Sequence, residues 1–114
     1  MQSDYLKIAG KVIHGRKEGR RFGFPTANLK FNGKLEAGVY SGWVAIQGQK
    51  YKAGIIYKAG ADIIEMHILD FSGDLYGKKI GLEIGKKIRN IINFKNNSEL
   101  ISQIKKDLEI IKKE

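Results

Sequence analysis

The chain has 114 residues, 42% of them hydrophobic and 29% charged, and carries 21 basic against 12 acidic side chains for a net charge of +9. That length holds one core, so a single domain over residues 1–114 is expected and a complete two-domain enzyme is excluded. Without cysteine and with only His14 and His67, neither a disulfide frame nor a thiolate or all-histidine zinc cage can form, so any metal must be a hard ion held by oxygen. No apolar run approaches the roughly 20 residues that span a bilayer. The opening Met1-Gln2-Ser3-Asp4-Tyr5 lacks the basic flank and apolar stretch of a secretory signal, so a cytoplasmic location is expected. The positive charge suits an anionic partner, a nucleotide, a nucleic acid or an acidic surface. It does not choose among them, and most of the scattered basic pairs read as solvated faces.

In chain order, Leu6, Ile8 and Val12 alternate and predict a first strand over 6–13. Residues 14–35 are rich in Gly, Arg and Lys, hold the only proline, show neither period and read as one long irregular loop, a length that usually serves function. Gly38 to Ile46 is β-branched and aromatic, Gln47-Gly48-Gln49 breaks it, and Tyr51 to Tyr57 runs extended again, which predicts a hairpin turning at Gly48. Ile64, Met66 and Ile68 alternate with Glu65 and His67 in a further strand over 63–69, and Ile80, Leu82 and Ile84 alternate in another reaching about Arg89. The period then changes. Leu100, Ile101, Ile104, Leu108 and Ile111 recur at helical spacing, with Asn97 or Ser98 as N-cap, Glu99 in the first turn and Lys112 and Lys113 in the last. The expected fold is mainly β: a small antiparallel, Greek-key-like six-stranded barrel, with the C-terminal amphipathic helix covering one opening or side. The absence of a βαβ pattern disfavours a Rossmann or P-loop fold.

The long loop carries Gly15, Gly19 and Gly23 among Arg16, Lys17, Arg20 and Arg21. Glycines allow backbone N–H groups to converge on an anion and the basic side chains supply countercharge, although an ordinary surface loop has the same composition. Pro25 stiffens the exit, and Thr26 and Asn28 offer two hard oxygen ligands suited to Mg²⁺ and polyphosphate. As turn formers bonded to the local backbone they fit equally well.

Five segments in order make the pattern specific: Gly-Lys-Val-Ile-His-Gly from Gly10, Gly-Arg-Arg-Phe-Gly-Phe-Pro-Thr-Ala-Asn-Leu from Gly19, Gly38-Val39-Tyr40, Glu65-Met66-His67-Ile68-Leu69-Asp70-Phe71 and Asp74-Leu75-Tyr76-Gly77. Together they resemble the riboflavin kinase family over residues 10 to about 108. The resemblance implies phosphoryl transfer from ATP–Mg²⁺ to the ribityl 5′-hydroxyl of riboflavin, giving FMN, with Glu65 as the base. It places Mg²⁺ and phosphates on Thr26 and Asn28, the triphosphate against Gly15, Gly19, Arg20 and Gly23, the nucleotide near Tyr76, and a flavin-side flap at Arg89. For Tyr76 a packing role, and for Arg89 a salt bridge to the helix, are the plainer alternatives. His67 reads as structural. In bacteria this domain is typically half of a bifunctional FAD synthetase, and here a separate FMN adenylyltransferase would serve the next step.

The chain departs from the family's pattern at Lys17-Glu18 and over residues 54–62, Gly-Ile-Ile-Tyr-Lys-Ala-Gly-Ala-Asp, where the family has a longer loop. A flavin- or nucleotide-binding module without turnover is therefore one alternative. A basic single-strand nucleic-acid-binding barrel is another, although it leaves the Pro-Thr-Ala-Asn and Glu-x-His segments unexplained. The expectation is a monomer acting on small molecules, with neither nucleic acid nor membrane as partner.

Overall fold

A computed structural model describes residues 6–13 and 26–114. Among the described residues six antiparallel strands, β1 (Leu6–Lys11), β2 (Thr26–Lys30), β3 (Gly38–Ile46), β4 (Gln49–Tyr57), β5 (Ile63–Ile68) and β6 (Lys79–Arg89), precede one helix, α1 (Asn97–Lys113). They form one sheet in the order β1-β6-β3-β4-β5-β2. The sheet curls until its edges meet, where the Ile13 N–H donates to the Asn28 carbonyl at 2.9 Å in a single antiparallel bridge. The expected small antiparallel barrel with a C-terminal helix is therefore present, closed between its edge strands by one bridge where the other neighbours share full ladders.

Alternation decides which side chains enter the core. Ala27 and Leu29 of β2, Tyr40, Val44 and Ile46 of β3, Ala53, Ile55 and Tyr57 of β4, Ile64, Met66 and Ile68 of β5, and Ile80, Leu82 and Ile84 of β6 share one buried cluster. The hairpin between β3 and β4 turns at Gln47 and Gly48, with φ of 48° and 84°, the left-handed pair that a two-residue turn between right-twisted strands requires. Glycine takes that conformation without penalty, as expected.

Two expectations need correction. Thr26–Lys30 is a strand inside the stretch expected to be irregular over 14–35, of which 31–35 is irregular and 14–25 lies outside the described residues. Its Thr-Ala-Asn-Leu-Lys does alternate polar and apolar, but five residues with only Ala27 and Leu29 apolar are too short a run to stand out as a strand. The N-cap of α1 is Asn96, one residue before the expected pair; its side chain accepts from the Glu99 N–H at 2.9 Å, and Glu99 in turn accepts from the Lys95 N–H at 3.2 Å.

The helix lies over the outside of the barrel and does not plug its end. Ile111 and Ile104 are buried there beside Val39 and Gly54, which sit on the outer face of β3 and β4. Gly54 permits this approach, because a Cβ at that position would lie 2.8 Å from Ile111 Cδ1. Burying two isoleucines contributes about 1.5–3 kcal/mol each. Among the described residues no helix is long and apolar enough to cross a membrane.

Candidate active site

The β2–β5 ladder assembles the polar part of the site. Thr26 stands opposite His67, and Asn28 opposite Glu65, in register. Ala27 and Leu29 turn inward with Met66 and Ile64, so these four polar residues share the outer face. Directly opposed side chains in such a ladder have Cβ atoms about 4.5–5.5 Å apart, close enough for Asn28 and Glu65 to act on one ligand. Asn28 is only 5% exposed and His67 6%, while Glu65 is half-buried. His67 Nε2 lies 3.3 Å from Glu65 Oε1, which sets the imidazole close beside the carboxylate on the same strand.

Two cavities open on this face. One, of about 300 Å³, lies between the sheet and the helix; Val39, Ile56, Ile91, Phe94, Leu100 and Ile104 supply its apolar walls, with Glu65, His67, Arg89 and Asp107 at its polar edges. The other, of about 410 Å³, is bounded by Asn28, Glu65 and the β4–β5 loop from Lys58 to Asp62. Glu65 lines both. The arrangement offers a carboxylate between a mainly apolar chamber and a second, more polar chamber bordered by Asn28, Lys58 and Asp62.

Arg89 closes the apolar chamber's far side by a fork to the helix. Its Nη2 donates to Asp107 Oδ2 at 2.7 Å and its Nε to Asp107 Oδ1 at 2.9 Å, while Gln103 Nε2 donates to the same carboxylate at 3.0 Å. Asp107 is 5% exposed and fully engaged, so the fork fixes the helix as a cavity wall. The salt-bridge alternative for Arg89 is thus realised, and the residue also lines the chamber.

The remaining expected site residues are placed unevenly. Gly15, Gly19, Arg20 and Gly23 lie outside the described residues. Tyr76 is 54% exposed and lines neither chamber, whereas its neighbour Leu75 is buried. The turn carrying Tyr76 is pinned by the Gly77 N–H donating to the Val12 carbonyl at 2.9 Å, next to the Ile13–Asn28 bridge, which puts it on the flank of the polar chamber's strand. Lys58 lies in the segment 54–62 where the chain departs from the family's pattern, and Asp107 and Ile91–Phe94 line the site although no site role was expected of them. His67 was legible by spacing alone, since a residue two positions from Glu65 on a strand must share its face.

Among the described residues no three His, Cys, Asp or Glu side chains gather as a metal cage. Thr26 and Asn28 put two oxygen-bearing side chains on the outer face of β2, a set so sparse that it would leave most of a Mg²⁺ shell to other ligands.

The riboflavin kinase family model matches residues 2–114. The chain belongs to the riboflavin kinase family. A bifunctional riboflavin kinase/FMN adenylyltransferase of Haemophilus influenzae is 37% identical over 120 residues, covering 93% of this chain and 37% of the relative. Among solved structures, a Streptococcus pneumoniae protein described as a macrolide-efflux protein superposes with a TM-score of 0.86 at 32% identity, over 95% of this chain and 38% of that one. A riboflavin kinase of Trypanosoma brucei superposes at 0.72 with 23% identity, over 96% of this chain and 79% of that one, and shares the riboflavin kinase fold. The chain thus spans little more than a third of the curated relatives' length, and it matches them across the β-barrel and helix described above.

Proposed function

We propose that the protein is an ATP:riboflavin 5′-phosphotransferase. One observation carries this reading beyond family membership: Glu65 stands in the wall shared by an apolar and a polar chamber, in register with Asn28. The flavin ring would occupy the apolar chamber with its ribityl chain running toward Glu65, and the triphosphate would lie on the Asn28 side.

In the reaction the ribityl 5′-hydroxyl oxygen forms a bond to the γ-phosphorus as the bond to ADP breaks. The electron pair of that bond leaves on the β-phosphate oxygen, and the hydroxyl proton passes to Glu65. A carboxylate is a weak base, so its main contribution is to orient the hydroxyl and accept the proton late in a loose transition state. His67 beside it limits the rotamers open to Glu65. Thr26 and Asn28 would hold Mg²⁺, which supplies countercharge to the triphosphate when bound. Gly15, Gly19, Arg20 and Gly23 would wrap the phosphates, Tyr76 would flank the nucleotide, and Arg89 would border the flavin.

ATP as donor makes the cytoplasm the expected compartment, a monomer suffices because one chain supplies both chambers, and FMN adenylyltransferase activity would belong to another polypeptide segment or protein. The deciding experiment incubates the folded protein with riboflavin, ATP and Mg²⁺ and separates the flavins by chromatography. FMN is the expected product, and its absence at every substrate concentration tried rejects the proposal in favour of a binding module without turnover.

A further inference from the structure

The two chambers share three lining residues, Ile56, Lys58 and Glu65. Ile56 and Glu65 are cross-strand neighbours, and Lys58 follows in phase with Gly54 and Ile56 on the outer face of β4. Lys58 is therefore the one cation among the described residues that borders both chambers. Arg89 borders only the apolar chamber and is engaged by Asp107.

The backbone under Lys58 is held at both ends. Tyr57, just before it, is buried edge-on against Phe31 with ring centroids 5.3 Å apart, and its hydroxyl donates to the Ala61 carbonyl at 3.0 Å. The Ala61 N–H donates to the Lys58 carbonyl at 3.1 Å, and the Phe31 N–H to the Asp62 carbonyl at 2.9 Å. The loop is thus tied to β2, the strand that carries Asn28. Lys58 itself is exposed, so its four-carbon stem can swing an ammonium over the boundary between the chambers without disturbing the core.

That boundary is where a phosphoryl group must pass if one chamber holds the donor and the other the acceptor. We propose that Lys58 is a further substrate-contacting residue, whose ammonium binds the phosphoryl group during transfer and afterwards holds it as the phosphate of FMN. The inference rests on the proposed function and adds to it a source of positive charge supplied by the segment in which this chain departs from the family's pattern. As the ribityl oxygen–phosphorus bond forms and the bond to ADP breaks, the charge on the phosphoryl oxygens is met by a group already in place. The ammonium takes no proton and forms no covalent bond.

The consequence is a preference for the phosphorylated flavin that charge alone explains. Flavin fluorescence titrations with riboflavin and with FMN, on wild type, Lys58→Met and Lys58→Arg, measure it directly. Loss of one charge-assisted contact should weaken FMN binding about tenfold in Lys58→Met. Riboflavin binding should stay within about twofold, and Lys58→Arg should keep most of the FMN affinity. The wild-type preference for FMN should also shrink as salt rises, and the kcat of Lys58→Met for FMN formation should fall. Wild-type turnover together with unchanged FMN affinity and kcat in Lys58→Met overturns the inference alone. A folded wild type that neither binds riboflavin nor makes FMN overturns the proposed function, and this inference with it.

Discussion

Asn28 and Glu65 face each other across the β2–β5 ladder, an amide that is almost fully buried beside a carboxylate that is half-exposed. The pairing separates two roles that substitution can distinguish. Glu65→Gln keeps size and shape but removes the proton acceptor, and should lower kcat by about 10²- to 10⁴-fold while leaving ATP affinity nearly unchanged. Asn28→Ala removes an oxygen donor from the polar chamber, and should raise the KM for Mg–ATP about tenfold. Steady-state kinetics with ATP and riboflavin varied in turn make the test. Equal effects of both variants on kcat and KM would show that the two residues do not divide the work in this way.

The fork between Arg89 and Asp107 ties the end of the sheet to the helix, and its cost of disruption should exceed that of any surface pair. Both side chains are largely buried, at 18% and 8% exposure. Asp107→Ala leaves the guanidinium without its carboxylate, and should destabilise the fold by about 3 kcal/mol. Arg89→Met should cost a similar amount, while the double variant costs clearly less than the sum, a coupling of at least about 1 kcal/mol. Urea denaturation of the four proteins reads the cycle. Additive losses would mean that the fork is no more than two independent surface contacts.

Much of this arrangement is visible in the sequence, for reasons that lie in the period of a strand. Ile64, Met66 and Ile68 announce β5, and the same alternation puts Glu65 and His67 together on the outer face. The β3–β4 hairpin is equally plain, because Gly48 sits where a positive φ is required. β2 is not plain: only Ala27 and Leu29 turn inward, and burial of Asn28 between them depends on pairing with β5, which no local pattern encodes. The apolar chamber is also hidden from local reading. Its walls come from β3, β4, the segment Ile91–Phe94 and α1, brought together by docking of Ile111 against Gly54 and by the Arg89–Asp107 fork. Gly15, Gly19, Arg20 and Gly23 rest on the motif alone.

Glu36, just before β3, and Tyr40, within it, form a pair of groups whose titrations act on stability in opposite directions. Tyr40 is buried, and its hydroxyl donates to the Glu36 carbonyl. Burial pushes its ionisation above the ordinary value of 10.0; Lys87 nearby opposes the shift and Glu36 adds to it. A phenol whose ionisation is raised by folding favours the fold only while neutral. The unfolded chain ionises first, so stability should begin to fall as the pH passes 10.0 and keep falling until Tyr40 itself ionises. Glu36 works the other way: its hydrogen bond to Lys87, at 2.6 Å, holds the carboxyl below 4.5, so its contribution is present above that pH and is lost as pH falls through the lowered value. The Glu36 carboxylate is exposed to solvent and screened, so only the alkaline limb should be measurable. Tyrosine absorbance followed through an alkaline titration should show one of the five tyrosines ionising late, and Tyr40→Phe should remove that component. If the late component survives in Tyr40→Phe, burial of Tyr40 is not what delays it.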